Sequence, residues 1–299
     1  MRFYFVKAAL TIVLVCVVGG PASATESAAT SAAKGTASIV ADVVGFACLE
    51  GKRSRDKAVQ MAMADAIQKG REYVVSLVEA KTTLEAGKPK AELVSAYANG
   101  TIRVIKEPIE NWYKDPAMGE CFEVQVQVEA VPNEEEMAKM VGTLPPDDPA
   151  APLIVKVWTD RESYKEGDKF RVKLKSNKSF YGTVVYQDAS GTRVQLLPNP
   201  YRKDNFFVGN RLYELPDAAD KYELVVSPPF GGERVTVYAS TEPVGELSTE
   251  PAGKVYLLTE GREQNERRSR SIKFAPKDAA GAPKAAEFFE ATADLSTGH

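Results

Sequence analysis

The stretch that decides the fold is WTDRESYKEGDKFRVKLKSNKSFYGTVVYQDASGTRVQLLPNPYRKDNFFVGNRLYELP, residues 158–216. Short runs of alternating apolar and polar residues recur in it, and turn sequences rich in Gly, Pro, Asn and Asp separate them. Together with the flanking residues it predicts strands at 153–158, 170–175, 180–187, 193–197, 222–226 and 234–239. Short strands at this spacing predict an antiparallel β-sandwich, to which a further alternating segment, 287–296, is expected to return.

Four motifs follow one another in a recognisable order in this stretch. They are a W-T-D strand, Y-x-x-G-D, F-Y-x-x-x-x-Y-x-D-x-x-G and L-L-P-N-P-Y, and the most specific piece is QLLPNPY at 195–201, followed by Gly209 and Pro216. This order resembles a bacterial envelope family known as domain of unknown function 4384, over residues 153–243. The resemblance implies a β-sandwich binding module and supplies no catalytic residues.

The N-terminal half has a different pattern. A strand is predicted at 36–48, and a long helix at 54–79 carries small residues at a spacing of four: Ala58, Ala62, Ala66 and Gly70. A short helix at 90–98, a strand at 101–112 and a strictly alternating strand at 122–130 follow. This order predicts a β-α-β-β domain at 36–142 that ends in a short acidic helix, 133–142. The fold class is therefore α+β.

Three segments of the N-terminal half also carry a resemblance. They are RDKAVQMAMADAI (55–67), GTIRVI (100–105) and CFEVQVQV (121–128). Their pattern and spacing resemble the N-terminal domain of flagellar assembly protein T and related envelope lipoproteins, over residues 35–131. The resemblance implies an envelope scaffold.

The first 24 residues have the pattern of a secretory signal peptide. Arg2 and Lys7 precede an apolar run at 8–18, and the A-x-A sequence at 22–24 predicts cleavage before Thr25. A lipoprotein anchor is not expected, because the residues before Cys16 are not those of a lipobox. No later stretch reaches the roughly 20 apolar residues of a membrane span. These features predict a periplasmic or secreted protein with a disordered leader at 25–35.

Charge and cysteine content narrow the possible partners and sites. Without Arg2 and Lys7 the chain has 36 basic and 41 acidic residues, a formal net charge of −5, which argues against nucleic acid. Cys48 and Cys121 remain, and an even count in an oxidising compartment predicts a disulfide. Strand parity places both on the polar face of the sheet, at one end.

A Pro-rich linker at 143–152 is predicted to separate the first domain from a sandwich domain at 153–299, and a mobile insertion is predicted at 261–286. Within the insertion, residues 261–273 (GREQNERRSRSIK) are locally basic. They could hold an anionic lipid headgroup or a cell-wall polymer. The favoured interpretation is a solvated loop, because acidic residues are interspersed.

The sequence gives little support for catalysis. Its one histidine is His299, the last residue, so Ser-His-Asp and Cys-His catalysis and histidine metal sites are excluded. No nucleotide-binding or hydrolase motif is present, and no metal or cofactor is predicted. A carboxylate pair for hydrolysis could come from Asp160, Glu166, Asp168 and Asp188. Their favoured role is in turns and at strand edges.

Aromatic residues around the Pro198-Asn199-Pro200 corner are the better functional candidates: Tyr181, Tyr186, Tyr201, Phe206, Phe207 and Tyr213. The favoured interpretation is a buried core, and the alternative is a surface patch for a protein or glycan partner. Three functions stay open. The first is a non-enzymatic envelope interaction or assembly protein, the second a cell-wall or glycan-binding protein, and the third a carboxylate-based hydrolase.

Overall fold

The computed structural model describes residues 35–49, 51, 54–86, 91–141, 151–243, 245–252, 255–270 and 285–299, all within one compact unit, Ala33–His299. The elements of the N-terminal half are β1 (Gly35–Cys48), α1 (Arg55–Ala86), α2 (Ala91–Ala98), β2 (Thr101–Val104), β3 (Ile109–Asp115), β4 (Gly119–Val131) and α3 (Glu134–Val141).

The C-terminal half consists mainly of short strands. In chain order its elements are β5 (Val155–Thr159), β6 (Ser163–Lys165), β7 (Lys169–Phe170), β8 (Val172–Ser176), β9 (Phe180–Gln187), β10 (Arg193–Leu197), β11 (Phe206–Phe207), β12 (Tyr213–Leu215), β13 (Leu224–Val225), β14 (Gly232–Ser240), β15 (Thr249–Ala252), β16 (Val255–Leu258), α4 (Arg262–Arg270) and β17 (Ala285–Gly298). The chain is therefore an α+β protein dominated by antiparallel strands, as the sequence predicts.

One large sheet runs through both halves of the chain. Its order is β15-β16-β10-β9-β14-β17-β1-β4-β2, with β11 beside β9, β3 beside β4 and β6 beside β17. A three-stranded sheet, β12-β8-β5, and a two-stranded sheet, β13-β7, complete the architecture. Among the described residues, every strand pair is antiparallel except β17 with β6.

The C-terminal strand β17 joins the two halves. It pairs with β1 on one side, from Gly35↔Ala291 to Ala41↔Ala285, and with β14 on the other. The predicted strand at 287–296 therefore returns to the sheet of the N-terminal half as well as to its own. The predicted domains at 36–142 and 153–299 meet along this ladder, while residues 143–150 of the predicted linker lie outside the described residues.

The helix α1 packs on one face of β1 and β4 through its small residues. Ala58, Ala62 and Ala66 are fully buried, as their spacing predicts. A methyl group at Gly45 of β1 would overlap the Ala62 carbonyl and Ala66, so strand and helix lie in close contact. The helix extends to Ala86, beyond the predicted end at 79. Thr82 is buried in this extension and its hydroxyl donates to the Val78 carbonyl at 2.9 Å.

The two smaller sheets cover the other half of the same face. Val184 of β9, Val237 of β14 and Ala291 of β17 are neighbours in one row across the large sheet. They share an apolar core with buried residues of the smaller sheets, among them Val172 and Leu174. In this half of the molecule, sheet packs on sheet around one core.

Cys48 and Cys121 form a disulfide, as predicted, and they are direct partners in the β1–β4 register. The prediction that they lie on a polar, solvated face is wrong, because both are buried. Strand β3 places Tyr113 opposite Cys121 and helps to cover this end of the face. The crosslink closes 73 residues, and loop-closure entropy assigns it roughly 4 kcal/mol of stabilisation.

The other end of that face contains a buried ion network. Glu129 is fully buried, and its carboxylate accepts from the Ser38 hydroxyl at 2.6 Å and the Arg103 guanidinium at 2.6 Å. Arg270 of α4 lies 3.2 Å from both Glu129 and Glu290. The interpretation of residues 261–273 as a solvated loop is therefore wrong for 262–270, which form a helix whose last side chain is buried. Residues 271–284 lie outside the described residues.

Two predicted strands are interrupted. The strand at 101–112 divides into β2 and β3 at a segment containing Pro108, which has no N–H for a ladder. The strand at 170–175 divides at Arg171 into β7 and β8, which belong to different small sheets. Among the described helices, none has the length and apolar character needed to cross a membrane.

Candidate binding surface

The six candidate aromatic residues do not form one cluster. Phe207 is fully buried and Tyr186 is nearly so, whereas Tyr181 and Tyr213 are half-buried. Phe206 and Tyr201 are exposed, at 42% and 45%. The buried-core interpretation therefore applies to some of these rings and the surface-patch interpretation to others.

Tyr186 belongs to the core of the C-terminal half. Its ring centroid lies 5.8 Å from that of Phe170, and its hydroxyl donates to Glu233. The Thr297 hydroxyl donates to the same carboxylate at 2.7 Å. Burial, followed by the bond to Glu233, raises the pKa of the Tyr186 hydroxyl. A buried tyrosine with a satisfied hydroxyl cannot contact a partner, so Tyr186 is removed from the candidate surface.

Successive residues of β11 point to opposite faces of the sheet, so one of its two rings points into the core and the other points away from it. Phe207 stacks on Phe180 with centroids 4.9 Å apart, and Tyr213 meets it edge-on at 5.0 Å. Phe206 points to the other side, where it is paired with Tyr181 of β9 and their centroids are 5.0 Å apart. The buried aromatic pair supports Phe206, which is exposed, and Tyr181, which is half-buried.

Val208 extends this exposed apolar area. It directly follows β11 and is 49% exposed. The sequence analysis missed it, although an apolar residue after two aromatic ones and before the turn residues Gly209 and Asn210 was a usable signal. We call Tyr181, Phe206 and Val208 the aromatic surface.

The backbone beside the aromatic surface is already occupied. The N–H of Phe206 donates to the Asp204 carboxylate at 3.1 Å, and the N–H of Val208 donates to the Tyr213 hydroxyl at 2.8 Å. On the other side, the N–H of Gly182 donates to the Asn205 carbonyl at 2.9 Å. Because these three backbone N–H groups are already bonded, they are not available to pair with an added strand. The aromatic surface would therefore recognise a partner through side chains.

The QLLPNPY motif forms a corner beside this region. Asn199 is buried; its side-chain oxygen accepts from the N–H groups of Tyr201 and Arg202 at 2.8 Å, and its amide donates to the Leu196 carbonyl at 2.7 Å. Tyr201 is left on the outside, with its ring centroid 6.0 Å from that of Tyr222. Burial and then the nearby Asp220 charge raise the pKa of Tyr222 to about 12. Most motif residues thus have a structural role, and Pro200 and Tyr201 are the two that are exposed to solvent.

Two cations lie close to this region. The ammonium group of Lys203 is over the Tyr256 ring, 5.2 Å from its centroid, and the guanidinium of Arg211 is 5.2 Å from the centroid of Tyr213. Lys203 also donates to the Tyr256 hydroxyl at 3.1 Å. Within the described part of the chain, neither cation forms an ion pair with a carboxylate. The region beside the apolar area therefore holds two cations, Lys203 and Arg211, together with the Asp204 carboxylate.

The four candidate carboxylates have local partners. Asp160 accepts from the Tyr164 hydroxyl at 2.9 Å, and Asp188 accepts from Ser190 and Thr192 in the β9–β10 hairpin, where Gly191 has the predicted positive φ of 87°. Glu166 lies 3.7 Å from the imidazole of His299.

The partners of Asp168 shift the pKa of its carboxyl. Its carboxylate accepts from the N–H of Lys165 at 2.9 Å and lies 3.1 Å from the Arg161 guanidinium. The Lys165 N–H, then the Arg161 charge, holds the pKa of this carboxyl below its usual range, so Asp168 is a poor general acid at neutral pH. These bonds agree with the favoured role of the four residues in turns.

A small cavity lies between α1, α2 and β17. It is lined by Tyr97, Lys81, Lys178 and Glu287, among others, and its volume is about 10 Å³. That is room for a single water molecule and not for a substrate. The exposed aromatic surface is therefore the better candidate site.

Comparison with known proteins supports part of the resemblance found in the sequence. Searches of curated proteins and of solved structures find no match to this chain. One family model matches residues 163–243, which extend from β6 to the end of β14 and include both the aromatic surface and the QLLPNPY corner. Over these residues the chain is similar to the family described as Domain of unknown function (DUF4384).

Proposed function

We propose that this chain is an exported, non-enzymatic protein of the bacterial cell envelope, which binds a partner protein through its aromatic surface. The carrying observation is the exposed Phe206, paired with the half-buried Tyr181, extended by the exposed Val208 and fixed over a buried aromatic stack. Exposed apolar side chains on a rigid support are the usual anchors of protein interfaces.

Three further features support an envelope location. The signal-peptide pattern of residues 1–24 predicts export. A disulfide between Cys48 and Cys121 suits an oxidising compartment. The resemblance of residues 35–131 to envelope assembly proteins suggests a scaffold to which the C-terminal half is joined. We infer that the N-terminal half anchors or orients the protein and the C-terminal half binds.

Binding is favoured over turnover because Asp204, beside the aromatic surface, and the candidate carboxylates elsewhere already have local hydrogen-bond partners. Asp204, Asp168 and Asp188 each accept hydrogen bonds from nearby backbone N–H groups. Hydrogen bonds of this kind hold each carboxylate in its own turn. For Asp168 they also hold the pKa of the carboxyl below its usual range. Among the described residues, the aromatic surface has apolar anchors and nearby cations, and the candidate acids are held in turns.

The test compares two double variants of residues 33–299. Phe206→Ser with Val208→Ser removes the aromatic surface, and Ile109→Ser with Met118→Ser removes equally exposed apolar side chains of the N-terminal half. The unchanged chain and each double variant are immobilised and used to capture proteins from detergent-extracted envelopes. The affinity of the captured protein for the unchanged chain and for each variant is then measured with purified components. We expect the first variant to weaken binding by roughly thirtyfold, as for an interface hot spot, and the second to bind like the unchanged chain.

The same proteins are sedimented with insoluble peptidoglycan. Retention that depends on Phe206 and Val208 in this assay would assign the surface to a glycan and contradict a protein partner. Equal retention of an envelope protein by both double variants would contradict the aromatic surface as the binding site.

Export has its own test. We expect the protein isolated from the periplasmic or secreted fraction to begin at Thr25, as shown by mass spectrometry of its N-terminal peptide. An intact N terminus at Met1 in the cytoplasmic fraction would contradict export.

A further inference from the structure

The strand β3 is an open edge of the large sheet, because within the described residues its one neighbour is β4. A nearby edge of the same sheet, along β1, is capped by side chains. Beyond Ala41, where the pairing of β1 with β17 ends, the N–H of Phe46 donates to the Asp65 carboxylate at 3.0 Å, and the Lys69 ammonium group donates to the Val44 carbonyl at 3.4 Å. Such caps keep another strand from pairing with an edge. No described side chain caps β3 in this way.

The hydrogen bonds of β4 show which residues of β3 face the open side. The N–H of Leu49, directly after β1, donates to the Glu120 carbonyl at 2.8 Å, so Glu120 directs its backbone groups toward β1. In an antiparallel ladder, the N–H and C=O of one residue point to the same side, and those of the next residue point to the other side. Cys121 therefore directs its backbone groups toward β3, where Tyr113 is its partner.

Glu110, Trp112 and Lys114 consequently direct their backbone groups to the open side of β3. Trp112 and Lys114 flank Tyr113, and Glu110 lies two residues before Trp112. Within the described part of the chain, the N–H and C=O groups of these three residues form no hydrogen bond. They are therefore available to pair with an added strand.

The side chains of β3 make the strand complementary to itself. When two copies of β3 pair antiparallel around Trp112, Glu110 of each copy lies opposite Lys114 of the other, and the two Trp112 residues face each other. All three outward residues then form hydrogen-bonded pairs, and a Glu–Lys ion pair flanks the tryptophans on each side. Moving the centre to the next residue on either side places Pro108 or Pro116, which have no N–H, opposite an outward residue. The sequence thus favours one register.

The side chains that would meet are positioned and accessible. Trp112 is half-buried opposite Phe122 of β4, with ring centroids 4.9 Å apart, and the Arg55 guanidinium lies 4.9 Å from its centroid. Glu110 and Lys114 are exposed, and neither forms an ion pair with another described residue. Both charges are therefore available to a second copy.

We propose that the chain forms a symmetric dimer in which the β3 strands of two copies pair antiparallel around Trp112 and join the two large sheets into one. Every contact then occurs twice, as a two-fold axis requires. The paired strands are short, so we expect a dissociation constant on the order of 10 μM. This goes beyond the proposed protein partner and does not depend on it, because β3 contributes no residue to the aromatic surface.

The experiment measures the mass of residues 33–299, one compact unit, by sedimentation equilibrium at concentrations well below and well above that constant. Two single variants, Glu110→Lys and Lys114→Glu, each place like charges opposite each other in a pair of identical copies. The controls, Glu162→Lys and Lys221→Glu, make the same charge changes at exposed residues outside β3.

We expect the unchanged chain and both controls to dimerise alike, and each single variant to dimerise roughly thirtyfold more weakly or worse. An equimolar mixture of the two single variants should recover the dimer, because every facing pair in a mixed dimer again joins a lysine and a glutamate. The double variant, Glu110→Lys with Lys114→Glu, should recover the dimer by itself for the same reason.

Three results would each overturn the proposal: a chain that stays monomeric throughout, single variants that dimerise like the unchanged chain, or a mixture that does not recover the dimer. Thermal unfolding shows whether each variant is folded. Where a single variant does not fold, Glu110→Pro takes its place. It removes an outward N–H while the bonds to β4 remain, and it should abolish the dimer.

Photocrosslinking in intact cells distinguishes a second copy from another occupant of the edge. Benzoylphenylalanine in place of Ile109, at the start of β3, should join two copies of the chain. An adduct with a different protein at this position, from a chain that sediments as a monomer, would assign the edge to that protein and contradict the dimer.

Discussion

Arg270, at the end of α4, neutralises two carboxylates that the large sheet buries, those of Glu129 and Glu290. Sequence reasoning placed it in a solvated loop, because its neighbours are polar and its partner Glu129 is 141 residues away. Local composition cannot reveal an ion pair between distant elements. The alternation of β4 likewise predicts a polar face, but not that this face is covered at Gln127 and Glu129.

We expect Arg270→Ala to lower the free energy of unfolding by about 3 kcal/mol, because it removes a buried positive charge that Glu129 and Glu290 share. The matched control is Arg268→Ala, whose guanidinium is half exposed and pairs with Glu260; it should cost at most about 1 kcal/mol. Urea denaturation of residues 33–299 measures both. Equal losses would contradict the assigned role of Arg270.

Glu287 should make stability depend on pH. Its carboxylate lies 2.7 Å from Lys81 of α1 and 3.0 Å from Lys178, and it accepts from the N–H of Leu153. Burial acts to raise the pKa of Glu287, but the charges of Lys178 and Lys81 together lower it below the usual value. Its stabilisation is therefore present above the unfolded-state pKa, about 4.3, and is lost as pH falls through the lower folded-state pKa.

We expect Glu287→Gln to reduce the free energy of unfolding at neutral pH and to flatten its decline in acid. Glu223→Gln, which breaks an exposed pair with Lys169, should leave the decline nearly unchanged. Denaturation over a series of pH values measures the two slopes. Parallel curves for the unchanged chain and Glu287→Gln would show that the pair does not stabilise the fold.

At the scale of elements, the sequence predicted best the elements with a hydrophobic pattern over many residues and the strands bounded by clear turn sequences. The bounds of β9 and β10 agree with the prediction, and the spacing of Ala58, Ala62 and Ala66 correctly predicted the buried ridge of α1. The two-residue strand β11 was missed because two residues have no measurable period. Its bounds nevertheless decide which aromatic ring is exposed, so the sequence could not separate Phe206 from Phe207.

The contact between α1 and β1 gives a prediction. Gly45→Ala should destabilise the protein by about 1–3 kcal/mol, because the added methyl group meets the Ala62 carbonyl and Ala66 in a packed core. Gly232→Ala is the control, since a methyl group there meets no atom within 4 Å. Thermal unfolding measures both. A neutral Gly45→Ala would mean that α1 is further from β1 than described.

At the scale of the whole molecule, β17 is the element that makes two halves into one sheet. Its alternation was readable, and a return to the sandwich was expected. The pairing of β17 with β1 could not be predicted from the sequence. The strand β1 lies some 250 residues earlier, and any strand with one apolar face could have been the partner.

The shared sheet predicts the behaviour of a cut chain. A protease site engineered within residues 142–150 should yield two fragments that elute together on gel filtration, since β17 pairs with β1 and Glu287 bridges to Lys81. If the linker were the only connection between the two halves, the cut fragments would separate as folded units. Separate elution of two folded fragments would restore the simpler picture of independent domains.

The central claim, that the aromatic surface binds a partner protein in the envelope, is tested most directly by photocrosslinking in intact cells. Benzoylphenylalanine replaces Phe206 in one protein and Ile109, an exposed residue of the N-terminal half, in another. The account predicts a discrete adduct with one envelope protein from position 206 and not from position 109. No adduct from position 206, or the same adduct from both positions, would contradict it.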